Sequence, residues 1–254
     1  YDALVRVYEG GSLTLTNSLL EYSEVHGVWV DGVETQAILN NTISDCNSFG
    51  IYVLDNSSNE IPLSPEIRGN VINNCNTPIV LSSGSYTGEF RITDNSGTGN
   101  TKNYISMPSF LVGSIKLGTS NALDWVFSSI YVRPGANWEL GPDEVIKIRD
   151  LGITVNGTLH TNTTADHPVV FTSLADNEYG YPVGSGAPYK GAWEGIKIES
   201  GGTAILDHAI IRYGGKNQYT YDALVRVYEG GSLTLTNSIL EHSAKYGVYV
   251  GSQY

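Results

Sequence analysis

WEGIKIESGGTAILDHAIIRY (193–213) and DALVRVYEGGSLTLTNSILEH (222–242) align without a gap at a shift of 29. Ile196 and Ile198 fall on Val225 and Val227, Ala204 and Leu206 on Leu233 and Leu235, and Ile210 on Ile239. Each run alternates apolar with polar residues, which is the period of a strand with one buried face. Matched apolar positions at a fixed shift mean that one coil of chain can lie on the next, like on like. A second, longer identity surrounds this pair. Residues 1–30 return as residues 221–250, a shift of 220, with 24 of 30 positions unchanged.

The short period continues through the first half of the chain. Asn17-Ser18-Leu19 corresponds to Asn41-Thr42-Ile43, then to Asn70-Val71-Ile72, then to Asn95, at spacings of 24, 29 and 25. Each block also holds a later strand: Val28-Trp29-Val30, Ile51-Tyr52-Val53 and Ile79-Val80-Leu81. One unit of 21–29 residues with three short strands, variable length and no helical periodicity predicts an all-β, right-handed parallel β-helix. A propeller blade would need about forty residues and four antiparallel strands. Tight Asn-Gly hairpin turns are also scarce.

The recurring asparagines have a physical role in such a fold. A corner between stacked coils leaves backbone groups unpaired, and a side-chain amide can satisfy them. Asn17, Asn41, Asn70, Asn95 and Asn237 are expected to form this ladder, interrupted where His208 takes the position. Cys46 and Cys75 each follow a ladder asparagine by five residues, so they stack on adjacent coils, either as buried thiols or as a strained disulfide. Tyr22, Tyr213 and His242 are expected in the same slot.

Composition narrows the function. The net charge is −12, with 29 Gly, 17 Tyr and one Met, and no basic stripe for phosphate contacts, so nucleic acid is not an expected partner. No apolar run in this segment is long enough to span a bilayer as a helix. Asn40, Asn56, Asn156 and Asn162 open N-x-[ST] triplets, the acceptor pattern for glycosylation.

The stretches IYVRPGANWELGPDEVIKIRDLGITVNGTLHTNTTADHPVVFTS (130–173) and GAWEGIKIESGGTAILDHAIIRYGG (191–215) resemble the pectate-lyase-like right-handed parallel β-helix superfamily. They are more nearly similar to tandem-repeat segments of large bacterial and archaeal surface proteins. The resemblance implies that Pro134-Gly135 enters a first coil and that Val155–Leu159 forms a strand pair. It also implies that Pro168–Ser173, a variable loop and then Trp193–Ile198 follow. Half of the chain matches well; the rest, including 31–121, matches only as generic coils. The resemblance implies an extracellular or cell-surface setting and gives little guidance about activity. It places a unit start near Leu123-Asp124-Trp125. Residues 1–121 then end one module and 122–254 begin the next, as one continuous solenoid. Tyr86 to Ser120 fits the coil template worst.

Three functions are weighed. The first is a structural segment of a fibre, stalk, sheath or adhesin whose partners are further copies of itself, end to end, each module roughly 40 Å long. The second is a polysaccharide lyase or hydrolase, which needs carboxylates about 5–9.5 Å apart. Asp45 and Asn74 share a position beside Glu21 and Glu241, and Asp94 lies near the ladder, yet no Asp-Asp pair or Gly-His-Gly motif appears. His26-Gly27 has Tyr246-Gly247 as its counterpart, so no catalytic residue is assigned and the chain is not expected to be an enzyme. The third is contact with polysaccharide or cell-surface glycans through outward aromatics: Tyr8, Trp29, Tyr52, Tyr228 and Tyr249. Ice binding through Thr14, Thr16, Thr234 and Thr236 is set aside, because the intervening coils break the row. No cofactor or metal is assigned; Asp176 and Glu178 in the loop 174–192 are the acidic residues a calcium ion would use.

Overall fold

A computed structural model describes residues 2–8, 11–31, 35–54, 65–82, 86–89, 91–107, 110–117, 122–216 and 222–252. Among these residues there is no helix, and every pairing between strands is parallel. The chain winds as a solenoid, laying each strand beside its equivalent one coil away.

One sheet of ten strands runs the length of the solenoid, from Ala3–Val7 through Phe49–Leu54, Tyr104–Ser106 and Asp124–Phe127 to Ile239–Glu241. Tyr104 pairs with Asp124, so this sheet joins residues 1–121 to residues 122–254 without a break. In the first half a four-stranded sheet (Ser12–Thr16 to Arg91–Thr93) and a three-stranded sheet (Leu19–Ser23 to Val71–Asn73) form the other two sides. In the second half an eleven-stranded sheet supplies both. One limb runs from Ile130–Val132 to Tyr246–Val250 and the other from Asn137–Leu140 to Ser232–Thr236; Phe110–Lys116 spans the two.

The alternation read from sequence sets which residues point inward. Val28, Ile51, Ile79, Ile105, Trp125, Ile146, Phe171 and Ile211 succeed one another in register along the ten-stranded sheet, all buried. Full burial of such a side chain contributes about 1.5–3 kcal/mol. The core is aliphatic in the first half. Around Trp125, Phe127, Trp138 and Phe171 it becomes aromatic, with Trp138 edge-on to both phenylalanines. The 29-residue shift is realised residue for residue: Ile196 pairs with Val225, Ala204 with Leu233 and Ile210 with Ile239.

Candidate functional site

Each corner beside the three-stranded sheet is made by one residue in the left-handed region, followed by one that points inward. At the first corner the left-handed residues are Asn17, Asn40, Gly69 and Asp94, with φ from 50° to 67°. Gly69 has no freedom to be otherwise, since a Cβ there would lie 2.2 Å from Asn40 Oδ1. The inward residues are Ser18, Asn41, Asn70 and Asn95. The amide of Asn41 donates to Asn70 Oδ1 (3.0 Å) and to Leu15 O (3.0 Å). That of Asn70 donates to Asn95 Oδ1 (3.0 Å) and Ile38 O (2.8 Å), and Asn95 donates to Ile67 O (2.8 Å). The backbone N–H groups of Ser18, Asn41 and Asn70 each reach the next amide oxygen, at 2.9, 3.0 and 3.2 Å. Such buried backbone donors cost about 1–3 kcal/mol when left unpaired.

The structure thus brings together Asn41, Asn70 and Asn95 and corrects the expectation for Asn17 and Asn237. Both are exposed left-handed residues one position earlier, with φ 50° and 49°. The coil between Ser18 and Asn41 is 23 residues long, so Asn17 matches Asn40 and Ser18 takes the ladder place. Asn237 follows Asp207-Thr236 in register, so it stands level with His208 and donates to Asp207 Oδ1 (2.9 Å). Ser238 occupies the inward place and accepts from Ala209 N–H at 3.0 Å.

The same one-residue displacement moves Tyr22, Tyr213 and His242 out of the cysteine slot. Tyr213 and His242 take the left-handed place at a corner after the ten-stranded sheet, where their rings stack at 4.7 Å, and Tyr22 takes it after the three-stranded sheet, level with Asp45 and Asn74. The inward column at that corner is Ser23, Cys46, Cys75 and Asn100. Both cysteines are buried free thiols; each Sγ donates to a carbonyl two residues earlier, Ser44 O and Asn73 O. The neighbouring Cys75 thiol, aided by burial, pushes the Cys46 thiol above the usual range.

The aromatic residues separate into two groups. Arg6 lies over the rings of Tyr8 and Trp29, at 4.4 and 4.3 Å, and Trp29 meets Tyr52 edge-on at 5.5 Å. Tyr8 is 60% exposed, but Trp29 is only 6% exposed and does not present a free face as expected. His26 completes this cluster, stacked on Phe49 and Tyr52, with its Nδ1 accepting from Phe49 N–H; burial pulls its pKa down. Tyr249 stands on the other long sheet, beside Arg226, and Tyr228 follows the Arg226 strand, so neither joins the first group.

The loop 174–192 lies across the outer face of the ten-stranded sheet and buries charge there. Lys147, 0% exposed, sits 3.1 Å from Asp124 and donates to the carbonyls of Asp176 (2.8 Å) and Tyr181 (2.5 Å). Tyr181 N–H returns to Asp124 at 2.7 Å. Burial raises the Asp124 pKa even beside this lysine. Arg212 gathers Glu178 (2.6 Å), Glu241 (3.1 Å) and Asp176 (3.4 Å), with the Tyr179 and Tyr213 rings alongside. The carboxylates considered for calcium therefore face a guanidinium that already fills the cation's role. This network links residues far apart in sequence, and the chain pattern carried no signal for it.

The other acids have local partners. Asp45 accepts from Asn74 at 3.1 Å, Glu21 from Ser44 at 3.5 Å, and Asp94 from Thr93 at 3.1 Å. Among the described residues no three His, Cys, Asp or Glu side chains converge as a metal site. Glu144 is different: it is buried, and the loss of water pushes its pKa up to about 8 despite a hydrogen bond from Trp125. Of the glycosylation triplets, Asn40 and Asn162 are exposed, Asn156 is half-buried, and Asn56 lies outside the described residues.

Residues 5–109 match the family model described as a right handed beta helix region. No curated protein and no solved structure matches the chain. With the parallel coils described above, this makes the fold a right-handed parallel β-helix solenoid.

Proposed function

We propose that this chain is a structural segment of an extracellular repetitive fibre, stalk, sheath or adhesin, in which 220-residue β-helix modules continue end to end. One observation carries the reading. The repeated segment re-enters with the same strand register at both places. Ala3, Val5, Arg6 and Val7 pair with His26, Val28, Trp29 and Val30; Ala223, Val225, Arg226 and Val227 pair with Tyr246, Val248, Tyr249 and Val250. A solenoid grows by nearest-neighbour stacking, so a module that restarts its own first coil in register provides the template for the next. Residues 1–121 and 122–254 are, in this reading, parts of successive modules.

The test is the length of the natural product. Rods that lengthen in steps of one module, counted against the number of repeats in the gene, are expected. A compact monomer that cleaves acidic polysaccharide would overturn the reading.

Glycan contact is a second reading, favoured by the exposed Tyr8 ring backed by Arg6. Stacking of a sugar on Tyr8 predicts that Tyr8→Ala abolishes retention on a polysaccharide column without changing the unfolding midpoint. Unchanged retention would remove it.

A further inference from the structure

The two copies of the repeated segment do not lie on the same side of the solenoid. Ala3–Val7 and Ala223–Val227 have the same sequence, ALVRV, yet the first belongs to the ten-stranded sheet and the second to the eleven-stranded sheet. The later strands agree: Leu19–Ser23 is in the three-stranded sheet, whereas its counterpart Ile239–Glu241 is in the ten-stranded one. Starting from Ala3–Val7, the chain returns to the ten-stranded sheet eight times, the last at Ala209–Arg212, and reaches Ala223–Val227 one side later. The slip becomes visible at Tyr104–Ser106. That strand ends the row of equivalents begun by Ala3–Val7, and it is covered by Asp124–Phe127 rather than by Ile130–Val132, the first strand of the row that leads to Ala223–Val227.

We infer that successive modules turn their equivalent faces by one side of the three-sided coil, so that an array returns to its starting orientation every third module. This rests on the end-to-end reading above. Its consequence is for lateral contact. The exposed Leu19 on the three-stranded sheet and its exposed counterpart Ile239 on the ten-stranded sheet face different ways. A straight, one-sided partner would meet equivalent residues once in three modules. Neighbouring copies of the same rod would meet them on all three sides, and this arrangement fits bundling in every lateral direction.

The slip is measurable in the chain itself. Ser106 and Val126 are outward neighbours on adjacent coils, at the roughly 4.8 Å spacing of paired strands, within the Cα range of a disulfide. Stacking in whole turns would put Tyr131 beside Ser106 instead. Oxidation of Ser106→Cys/Val126→Cys should link the two, as seen by peptide mapping, while Ser106→Cys/Tyr131→Cys stays reduced; the opposite result overturns the inference. If neither pair links, spin labels decide. Tyr52 to Glu241, on one sheet, must be nearer than Tyr52 to Tyr249, and the reverse order overturns the inference. Failure here leaves the rod reading standing, because that reading is judged by rod length alone.

Discussion

Arg6 and Arg226 share their sequence neighbours but not their surroundings. Arg6 lies between aromatic rings near the surface. Arg226 is 2% exposed, paired with the buried Asp222 at 3.1 Å and donating to Glu194 O at 2.8 Å. Identical pentapeptides make the same strand and the same register, while the segment packed against each decides what the side chains cost and contribute. The contrast extends to the halves. The first half buries polar groups as neutral amides and thiols at its corners. The second buries charges beneath the loop 174–192.

The charged half should break most easily. Asp222→Ala leaves the Arg226 guanidinium buried without its carboxylate, which is expected to cost about 3–5 kcal/mol in denaturant unfolding. The same change at Asp166, which is exposed, should stay within about 0.5 kcal/mol. Equal effects at the two sites would erase the comparison.

Glu144 sharpens it through pH. Its folded pKa is raised from 4.5 to about 8, so its contribution is fully present below 4.5 and is lost as pH rises through about 8. Glu144→Gln should therefore gain stability over the parent as pH rises, by about 3 kcal/mol near neutrality, and should match it in acid. A gain independent of pH would show that Glu144 is not held protonated.

In the amide half, Asn70→Ala removes the side-chain partner of Asn41 N–H and of Ile38 C=O on the neighbouring coil and should cost about 2–3 kcal/mol. Asn17→Ala loses only a residue suited to a left-handed corner, a cost of about 1 kcal/mol. A greater loss at Asn17 would restore the ladder as read from the sequence. The smallest effect concerns reactivity. Cys46 and Cys75 should resist a thiol reagent in the folded protein and both react on unfolding, followed by absorbance.

The strands were legible because alternation is local: each run between 193 and 242 pairs as its apolar pattern required. The corners were harder to read. Asn40 and Asn41 are neighbours of the same type, and asparagine suits both the left-handed turn and the inward amide. Sequence cannot separate the two roles, and one short coil moved Asn17 from one to the other. The ion network was hidden for a different reason. Lys147 meets Tyr181 at 34 residues' separation and Asp124 meets Tyr181 at 57, with no shared pattern to join them.

By itself, then, the sequence determined that this chain coils, which residues line its core, and that its opening segment comes round again. Only the tertiary structure decided which side each copy occupies and which partners its arginine finds. Strand formation depends on a few adjacent residues. The facing of a strand depends on the turning of every corner before it, and that sum is known only when the coils are stacked.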